Sequence, residues 1–343
     1  MWPLSRRKTP KHFLRLFDGK SLFQLNYETL LLKFPPKEIY VQTTIHQVKV
    51  ARKQAPKIPA ENFFIEPEMR NHGPAMGLMA AKLAAVDPND PFIIVQADVI
   101  REPKESFLKM IDYFGTLVLK EGKLITGGIK PQYTVMGVDY LIAKNKLESV
   151  SGINIYKMDK WLGRDTKENI EKYFKNSHVF LHANHYCWTP KLLIESYRNF
   201  PNWYEPLKKI IKAIGTPKEK EVINREYVKM EKGPVEKLFA GELENGYVAE
   251  LPFNWIDFGT WESLHNYFES QNRRKQKKDD IIEIEAENCY VQKPDRKCIS
   301  LIGVKDLIIV DTKDSLLICH NKKSGLVGEV VKALENIGRK DLL

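Results

Sequence analysis

The sequence predicts an α/β protein with a mixed, mostly parallel sheet, followed by a small all-β segment. Through about the first 260 residues, short β-rich runs bounded by Pro, Asp, Asn or Gly alternate with amphipathic helical runs. That alternation is typical of a sheet covered by helices. After residue 280 the pattern changes to short strands about eight to ten residues apart without intervening helices, which is typical of a small β domain.

The first part of the chain supplies the strands and helices of the predicted sheet. The predicted strands are 38–42, 62–65, 91–96, 124–130, 139–143, 178–181 and 246–251. The clearest helix is 74–86, which has Pro in its first turn, many alanines and apolar residues at helical spacing. The other predicted helices are 21–32, 105–119, 167–174, 191–198, 204–213 and 261–271.

A polar, charged run, QNRRKQKKDD at 271–280, is the predicted linker between a domain of residues 1–270 and a segment of residues 281–343. It could also be a nucleic-acid-binding patch, but it lacks the interleaved aromatic residues that such patches use. The predicted strands after it are 281–284, 289–292, 297–301, 307–311 and 315–319, and the predicted terminal helix is 326–337.

Composition excludes several classes of protein. The chain has 343 residues, of which 43% are hydrophobic, so it can bury a large core and is not intrinsically disordered. Its longest apolar runs are about four residues, far below the roughly 20 needed to cross a bilayer. Residues 1–15 carry five basic side chains instead of the apolar region of a signal peptide. We therefore expect a cytoplasmic protein without a membrane partner.

The positive charge is concentrated at one end of the chain. Residues 1–57 hold twelve Lys or Arg against three acidic residues, which accounts for +9 of the net charge of +10. A positive field of this kind suits a polyanion, either a nucleic acid or a nucleoside triphosphate. Composition alone leaves both open.

Two aspartates are the candidate metal ligands. Asp98 follows the predicted strand 91–96, in the crevice where open α/β sheets bind ligands, although it could simply cap the next turn. Asp257 lies in an aromatic-flanked segment just before a helix. If the fold brings them together, they form a site for phosphoryl chemistry, and the lack of a His at ligand spacing favours Mg²⁺ over zinc.

Two further segments offer phosphate or nucleotide contacts. The loop 5–13 is densely cationic and includes Arg6 and Lys11, which could bind phosphate or form a solvated basic terminus. The segment 66–75 contains Glu66, Arg70 and Asn71 and leads from a strand into helix 74–86. Its side chains and the helix N-terminus could seat a base edge or a phosphate, but helix capping by Asn71 or His72 explains part of it equally well.

Taken together, these segments resemble mannose-1-phosphate guanylyltransferases, and their order along the chain is that of the family. The matching motifs are Trp2-Pro3-Leu4-Ser5-Arg6 with Pro10-Lys11-His12-Phe13, Glu66-Pro67 with Arg70-Asn71 and Pro74-Ala75, Ala97-Asp98, Gly128-Ile129-Lys130-Pro131, Tyr227 with Met230-Glu231-Lys232, and Trp255-Ile256-Asp257-Phe258-Gly259-Thr260-Trp261. Residues 302–312 resemble the family's C-terminal β-helical segment.

The resemblance implies a Rossmann-like nucleotide-diphosphosugar transferase domain with a C-terminal left-handed β-helix piece. It implies transfer of GMP from GTP to mannose 1-phosphate, with Asp98 and Asp257 binding Mg²⁺ and with Arg6 and Lys11 on the triphosphate. Glu66, Arg70 and Asn71 would then help to seat the nucleotide. A homodimer through the C-terminal β segment follows only from the resemblance.

The sugar-side motifs depart from the family. Its Pro-Glu-Thr-Gly-Tyr-Gly-Tyr-Ile appears here as residues 134–141, and its Glu-Lys-Pro and Trp-Asn-Ser-Gly correspond at best to 159–161 and 182–185. By this correspondence Gly137, Lys160, Asn184 and Glu231 are the predicted sugar-phosphate contacts, and the identity of the sugar stays open. Asn184 could equally be an ordinary hydrogen-bonding residue at a strand end.

The N-terminus departs as well. The family places a buried strand and a glycine-rich loop ending in Gly-Thr-Arg-Leu directly before the Trp-Pro-Leu-Ser-Arg motif, whereas here Met1 precedes Trp2. We expect either that this start is internal to a longer gene or that the sheet lacks one strand.

Three functions remain for comparison. The first is an active, Mg²⁺-dependent guanylyltransferase, which needs no covalent nucleophile because an anionic sugar phosphate can attack the α-phosphate of GTP directly. The second is a catalytically inactive relative that binds nucleotide sugar and regulates a partner. The third, a nucleic-acid binder, rests only on the net charge, and the resemblance disfavours it.

Overall fold

The computed structural model describes residues 1–174, 178–238, 246–271, 280–294 and 297–343. The helices are α1 (Leu22–Leu30), α2 (Val48–Gln54), α3 (His72–Ala84), α4 (Lys104–Glu121), α5 (Lys167–Phe174), α6 (Pro190–Ser196), α7 (Pro201–Ala213), α8 (Glu219–Tyr227), α9 (Trp261–Ser270) and α10 (Val327–Asn336). None of the helices described combines the length and apolar character that a membrane span requires.

Strands of the first part of the chain form the central sheet and two small accessory pairs. They are β1 (Val41–Thr44), β2 (Phe63–Glu66), β3 (Phe92–Ile94), β4 (Val99–Glu102), β5 (Ile125–Ile129), β6 (Tyr140–Val150), β7 (Ile153–Leu162), β8 (His178–Trp188), β9 (Tyr247–Glu250) and β10 (Asn254–Asp257). Those of the C-terminal segment are β11 (Ile281–Ile284), β12 (Tyr290–Gln292), β13 (Ile299–Ile302), β14 (Leu307–Asp311) and β15 (Leu316–His320).

The central sheet has six strands in the order β3-β8-β5-β9-β7-β6, with β6 also paired to β8. The α/β class and the mixed sheet are confirmed. Among the described strands of this sheet, parallel pairing is confined to β5 and β9, and the other pairs are antiparallel, which is a smaller parallel share than expected.

A long hairpin explains much of that difference. Strands β6 and β7 are joined by Ser151 and Gly152, whose φ values are 52° and 82°. Two residues with positive φ form the tight turn that matches the twist of antiparallel strands. The sequence predicted only the first residues of β6 and none of β7.

Helices cover both faces of the sheet. On one face α4 buries Phe107, Met110, Phe114 and other apolar residues at helical spacing. It ends at Gly122, whose φ of 62° is the left-handed conformation typical of helix C-termini. On the other face α3, α6, α7 and α8 pack in a second core. The core therefore lies in two layers, one on each face of the sheet.

Two short strand pairs lie outside the central sheet. Strands β1 and β2 pair in parallel, and α1 and α2 pack with them in a separate apolar cluster. Strands β4 and β10 form an antiparallel ribbon. The sequence did not predict β4, β10, α2 or α8.

The C-terminal segment has the predicted succession of short strands. Strands β11 and β13 pair in parallel, β12 and β14 pair in parallel, and β15 adds antiparallel to β14. The predicted strands and terminal helix in this segment are confirmed to within about two residues, as expected for element ends. The segment shares a core with the N-terminus, in which Trp2 and Trp261 pack with Ile308 and Val310.

Hydrogen bonds reinforce that shared core. The Trp2 indole donates to the Leu342 carbonyl at 2.9 Å, and the Trp261 indole donates to the Trp2 carbonyl at 2.9 Å. Residues 272–279 of the predicted linker lie outside the described residues. The division into domains 1–270 and 281–343 stays a prediction.

Candidate active site

Asp98 and Asp257 come together through the β4–β10 ribbon. Asp98 immediately precedes β4, and Asp257 is the last residue of β10, directly opposite Val99 in the antiparallel register. The two carboxylates therefore lie at the same end of the ribbon although they are far apart in sequence. The metal site predicted from the sequence was conditional on the fold bringing these two aspartates together, and the fold does so.

The Lys11 ammonium lies between the two carboxylates. Its Nζ is 2.9 Å from Asp98 Oδ2 and 3.2 Å from Asp257 Oδ1. Burial alone would lower the pKa of Lys11, but the two carboxylates outweigh burial and raise that pKa above its ordinary value. Lys11 is therefore firmly cationic at neutral pH.

This arrangement fits a divalent cation. The ammonium shows that oxygens of Asp98 and Asp257 converge on one position that accepts positive charge. Carboxylate oxygens are the protein ligands that Mg²⁺ prefers, and Mg²⁺ is commonly held by one or two of them together with substrate phosphates. The donor set suits that ion, although the sequence assigned Lys11 to the triphosphate rather than to the carboxylates.

Arg6 contacts the C-terminal segment. Its Nη2 donates to Asp314 Oδ1 at 2.8 Å and to Ser315 Oγ at 3.3 Å, and its guanidinium lies over the Trp2 ring. Its described contacts therefore anchor the N-terminal loop to the β14–β15 turn. A triphosphate or catalytic role for Arg6 stays a prediction.

Glu66 and Arg70 meet the segment that follows α8. The Tyr227 hydroxyl donates to Glu66 Oε2 at 2.7 Å, and Arg70 Nη1 donates to the Met230 carbonyl at 2.8 Å. Burial raises the pKa of Glu66, and the hydrogen bond from Tyr227 opposes part of that rise. Two predicted nucleotide residues and the Tyr227 motif thus form one polar wall.

Asn71 is the N-cap of α3. It has a left-handed φ of 66°, and its Oδ1 accepts from the His72 backbone N–H at 2.8 Å. The capping interpretation is confirmed. Its contact with a nucleotide stays a prediction.

The four predicted sugar-side residues have different partners. Asn184, at a left-handed φ of 51°, accepts from the Tyr186 hydroxyl at 3.0 Å. Gly137 also has a positive φ, 78°. Lys160 Nζ lies 3.3 Å from the Tyr173 hydroxyl, and Glu231 pairs with Lys237 at 2.9 Å. Their roles toward a sugar phosphate stay predictions.

A polar cluster near Asn184, formed by one half-buried and two buried residues, was not predicted from the sequence. Ligand-type atoms of Asp139, His182 and Glu236 lie within 4.8 Å of one another. Burial, and secondarily the nearby His72, lowers the pKa of His182 to about 3, so its imidazole is neutral at physiological pH. Asp139 directly precedes β6, His182 lies in β8, and Glu236 lies in a short 3₁₀ helix, so no spacing along the chain predicts the cluster.

Comparisons with known proteins agree with this architecture. Residues 279–334 match the family described as "MannoseP isomerase/GMP-like beta-helix domain". The chain is 25% identical over 350 residues to alginate biosynthesis protein AlgA of Pseudomonas aeruginosa, covering 99% of this chain and 71% of that protein. It is 26% identical over 361 residues to a mannose-1-phosphate guanylyltransferase of Escherichia coli, covering 99% of this chain and 74% of that protein.

The fold also has a solved counterpart. The crystal structure of a mannose-1-phosphate geranyltransferase from Thermus thermophilus matches with a TM-score of 0.81 at 22% identity, covering 98% of this chain and 95% of that one. The chain therefore shares the fold of that structure, an α/β domain joined to a C-terminal β-helix segment. Along nearly its whole length the chain is a homologue of proteins named mannose-1-phosphate guanylyltransferase or alginate biosynthesis protein AlgA, which confirms the resemblance carried by the motifs.

Proposed function

We propose that this protein transfers GMP from GTP to mannose 1-phosphate or a related sugar 1-phosphate, giving a GDP-sugar and pyrophosphate. The similarity to named guanylyltransferases supports the substrates. The observation that carries the proposal is the convergence of Asp98 and Asp257 on the Lys11 cation. Triphosphate chemistry needs such a position, where two carboxylates can hold a divalent ion beside a positively charged side chain.

The proposed reaction requires charge neutralisation and alignment. A phosphate oxygen of the sugar phosphate forms a bond to the α-phosphorus of GTP as the bond from that phosphorus to the β-phosphate oxygen breaks, and pyrophosphate leaves. The nucleophile is already anionic, so no strong general base is needed. Asp98 and Asp257 would hold Mg²⁺, which, when bound, neutralises phosphate oxygens. Lys11 is close enough to the same position to neutralise charge on the triphosphate.

The wall formed by Glu66, Arg70 and Tyr227 would position the nucleotide. Its hydrogen bonds fix the Glu66 carboxylate and the Arg70 guanidinium before a ligand arrives. Pre-formed donors and acceptors reduce the entropy lost on binding and hold the reacting groups in line.

The test is pyrophosphate release by purified protein with GTP, Mg²⁺ and mannose 1-phosphate. Asp98→Asn and Asp257→Asn keep the side-chain shape but remove a charge, and each should lower the rate by roughly 10²–10³-fold, the usual cost of a lost electrostatic group. Asp112→Asn, on the exposed side of α4, is the matched control and should retain full activity. Absence of pyrophosphate release by the wild type across several sugar 1-phosphates would refute the proposal.

The inactive, regulatory alternative predicts a different result. GDP-mannose would bind to the wild type and to both Asn variants with equal affinity, and none would release pyrophosphate. Calorimetric titration with GDP-mannose in the same preparations separates the two functions.

We also propose that the protein forms a homodimer through its C-terminal strands. Ile282 and Ile284 lie on one face of β11, and Ile302 is registered beside Ile284 on β13. These side chains are 49%, 51% and 65% exposed, an apolar face that a second copy would bury. Light scattering should report a dimer for the wild type and a monomer for Ile284→Lys; a monomeric wild type would refute dimerisation.

A further inference from the structure

The cluster of half-buried Asp139 with buried His182 and Glu236 has the chemistry of a metal site separate from the Asp98–Asp257 pair. The three residues each offer one ligand atom, and these atoms lie within 4.8 Å of one another. One imidazole nitrogen and two carboxylate oxygens are a donor set that proteins use for zinc and related first-row ions. Three protein ligands also leave a coordination position for water or substrate.

Glu236 supplies the observation that points to a ligand. Its side chain is 4% exposed, and its Oε2 has no hydrogen-bond partner among the described residues. Its other oxygen, Oε1, accepts from the Tyr186 hydroxyl at 2.5 Å and lies 3.6 Å from His182 Nδ1. The salt bridges of the described residues pair no Lys or Arg with Glu236, so a buried carboxyl group with one unsatisfied oxygen lies next to the His182 imidazole.

A buried oxygen without a hydrogen-bond partner is unfavourable, and proteins normally satisfy such an atom. A divalent ion between Glu236, His182 and Asp139 would be a partner for the unsatisfied Glu236 oxygen.

The surrounding side chains hold the cluster in a metal-binding orientation. Thr126 is fully buried, and its Oγ1 lies 3.2 Å from His182 Nε2, which leaves Nδ1 as the nitrogen that faces Glu236. Metal-bound histidines usually donate their other ring N–H to such an oxygen, and metal-bound carboxylates are themselves hydrogen-bonded. The Tyr186 hydroxyl donates such a hydrogen bond to Glu236.

We infer that Asp139, His182 and Glu236 bind a divalent first-row transition-metal ion, represented by Zn²⁺, through His182 Nδ1 and one oxygen of each carboxylate. Asn184 shares the Tyr186 hydroxyl with Glu236, so the ion would lie beside a predicted sugar-side residue. The site does not depend on the proposed transfer reaction, because neither Asp98 nor Asp257 belongs to it.

The test is Co²⁺ titration of chelator-treated protein carrying Asp98→Asn and Asp257→Asn, which removes the other carboxylate pair. We expect one Co²⁺ per chain with the visible absorption of low-coordinate cobalt, and its displacement by Zn²⁺. Adding His182→Gln or Glu236→Gln should weaken binding by at least tenfold, the lower end of what even outer hydrogen-bond partners contribute. His46→Gln, at an exposed histidine, is the matched control and should leave the titration unchanged.

Thr126→Val keeps all three ligands, so it tests the site even if a ligand variant does not fold. It should weaken Co²⁺ binding by roughly tenfold, because His182 loses the partner that orients its ring. The inference is overturned if the starting protein binds no Co²⁺, or if His182→Gln and Glu236→Gln, folded by circular dichroism, bind it as tightly as the protein without them. Pyrophosphate release by otherwise wild-type protein is measured separately, so failure of this site and failure of the proposed transfer are distinguishable.

Discussion

Replacing Gly73 by Ala should destabilise the protein, because helix α3 passes very close to another part of the chain there. A Cβ on Gly73 would lie 2.6 Å from Trp203 Cζ2, 2.7 Å from Trp203 Cη2 and 2.8 Å from the Gly233 carbonyl oxygen. The Gly73 backbone N–H also donates to that carbonyl at 2.9 Å. The methyl group therefore fits only if the indole or the backbone moves.

The size of this destabilisation depends on how firmly the Trp203 ring is held in place. Trp203 is 2% exposed, and its indole donates to the Glu231 carbonyl at 2.6 Å, so moving the ring strains both packing and a hydrogen bond. Overpacking of this kind costs about 1–3 kcal/mol, and weakening the hydrogen bond adds about 1 kcal/mol. The greater helix propensity of Ala returns at most about 1 kcal/mol. The net loss in unfolding free energy should be about 1–3 kcal/mol.

Gly115→Ala in α4 is the matched control. A Cβ there meets no neighbouring atom of the described residues within 4 Å, so the same substitution should stabilise the protein by about 0.5–1 kcal/mol. Urea unfolding followed by tryptophan fluorescence measures both variants. A Gly73→Ala protein as stable as the wild type, or a Gly115→Ala protein equally destabilised, would refute the reasoning.

Three further predictions concern charge and anchoring. The hydrogen bond from Arg225, opposed by burial and aided by Lys229, lowers the pKa of Glu226 to about 2. Ionised Glu226 should contribute about 1 kcal/mol to the free energy of unfolding, because its cationic partners are half exposed. This stabilisation should be present above about pH 4.5 and be lost as the pH falls toward 2. Urea unfolding at several pH values should show that Glu226→Gln lacks this loss. Lys11→Met should tighten Mn²⁺ binding in the absence of nucleotide by roughly tenfold in an electron paramagnetic resonance titration, since the competing ammonium is gone; an unchanged affinity would count against a shared cation position. Trp2→Phe loses the hydrogen bond to the Leu342 carbonyl and should cost at least about 1 kcal/mol in urea unfolding, whereas a cost near zero would mean that this contact does not anchor the N-terminal loop.

Much of the fold was predictable from local pattern. Helix α4 repeats apolar residues at helical spacing, and the strands after residue 280 are short, apolar and regularly separated, so their positions agree with the structure. Strand β7 was missed because its register depends on pairing with β6 across the Ser151–Gly152 turn rather than on its own pattern.

Some features of the candidate site were likewise predictable from local sequence, and others were not. The sequence singled out Asp98, Asp257 and Lys11, because a strand end, an aromatic-flanked acid and a basic loop are local features. It placed Lys11 on a phosphate, and the ion pair with both carboxylates became visible only in three dimensions. Arg6 belonged to the same basic loop, yet it forms an ion pair with Asp314 in the C-terminal segment.

The sequence by itself determined the α/β class, the change to short strands near residue 280 and the residue types of a phosphate and metal site. Those properties depend on periodicity, turn residues and local charge. Only the tertiary structure decided that Asp257 lies beside Asp98 through an antiparallel ribbon, and that Asp139, His182 and Glu236 meet in the core. The physical reason is that strand register and the packing of distant segments set these distances, and no interval along the chain encodes them.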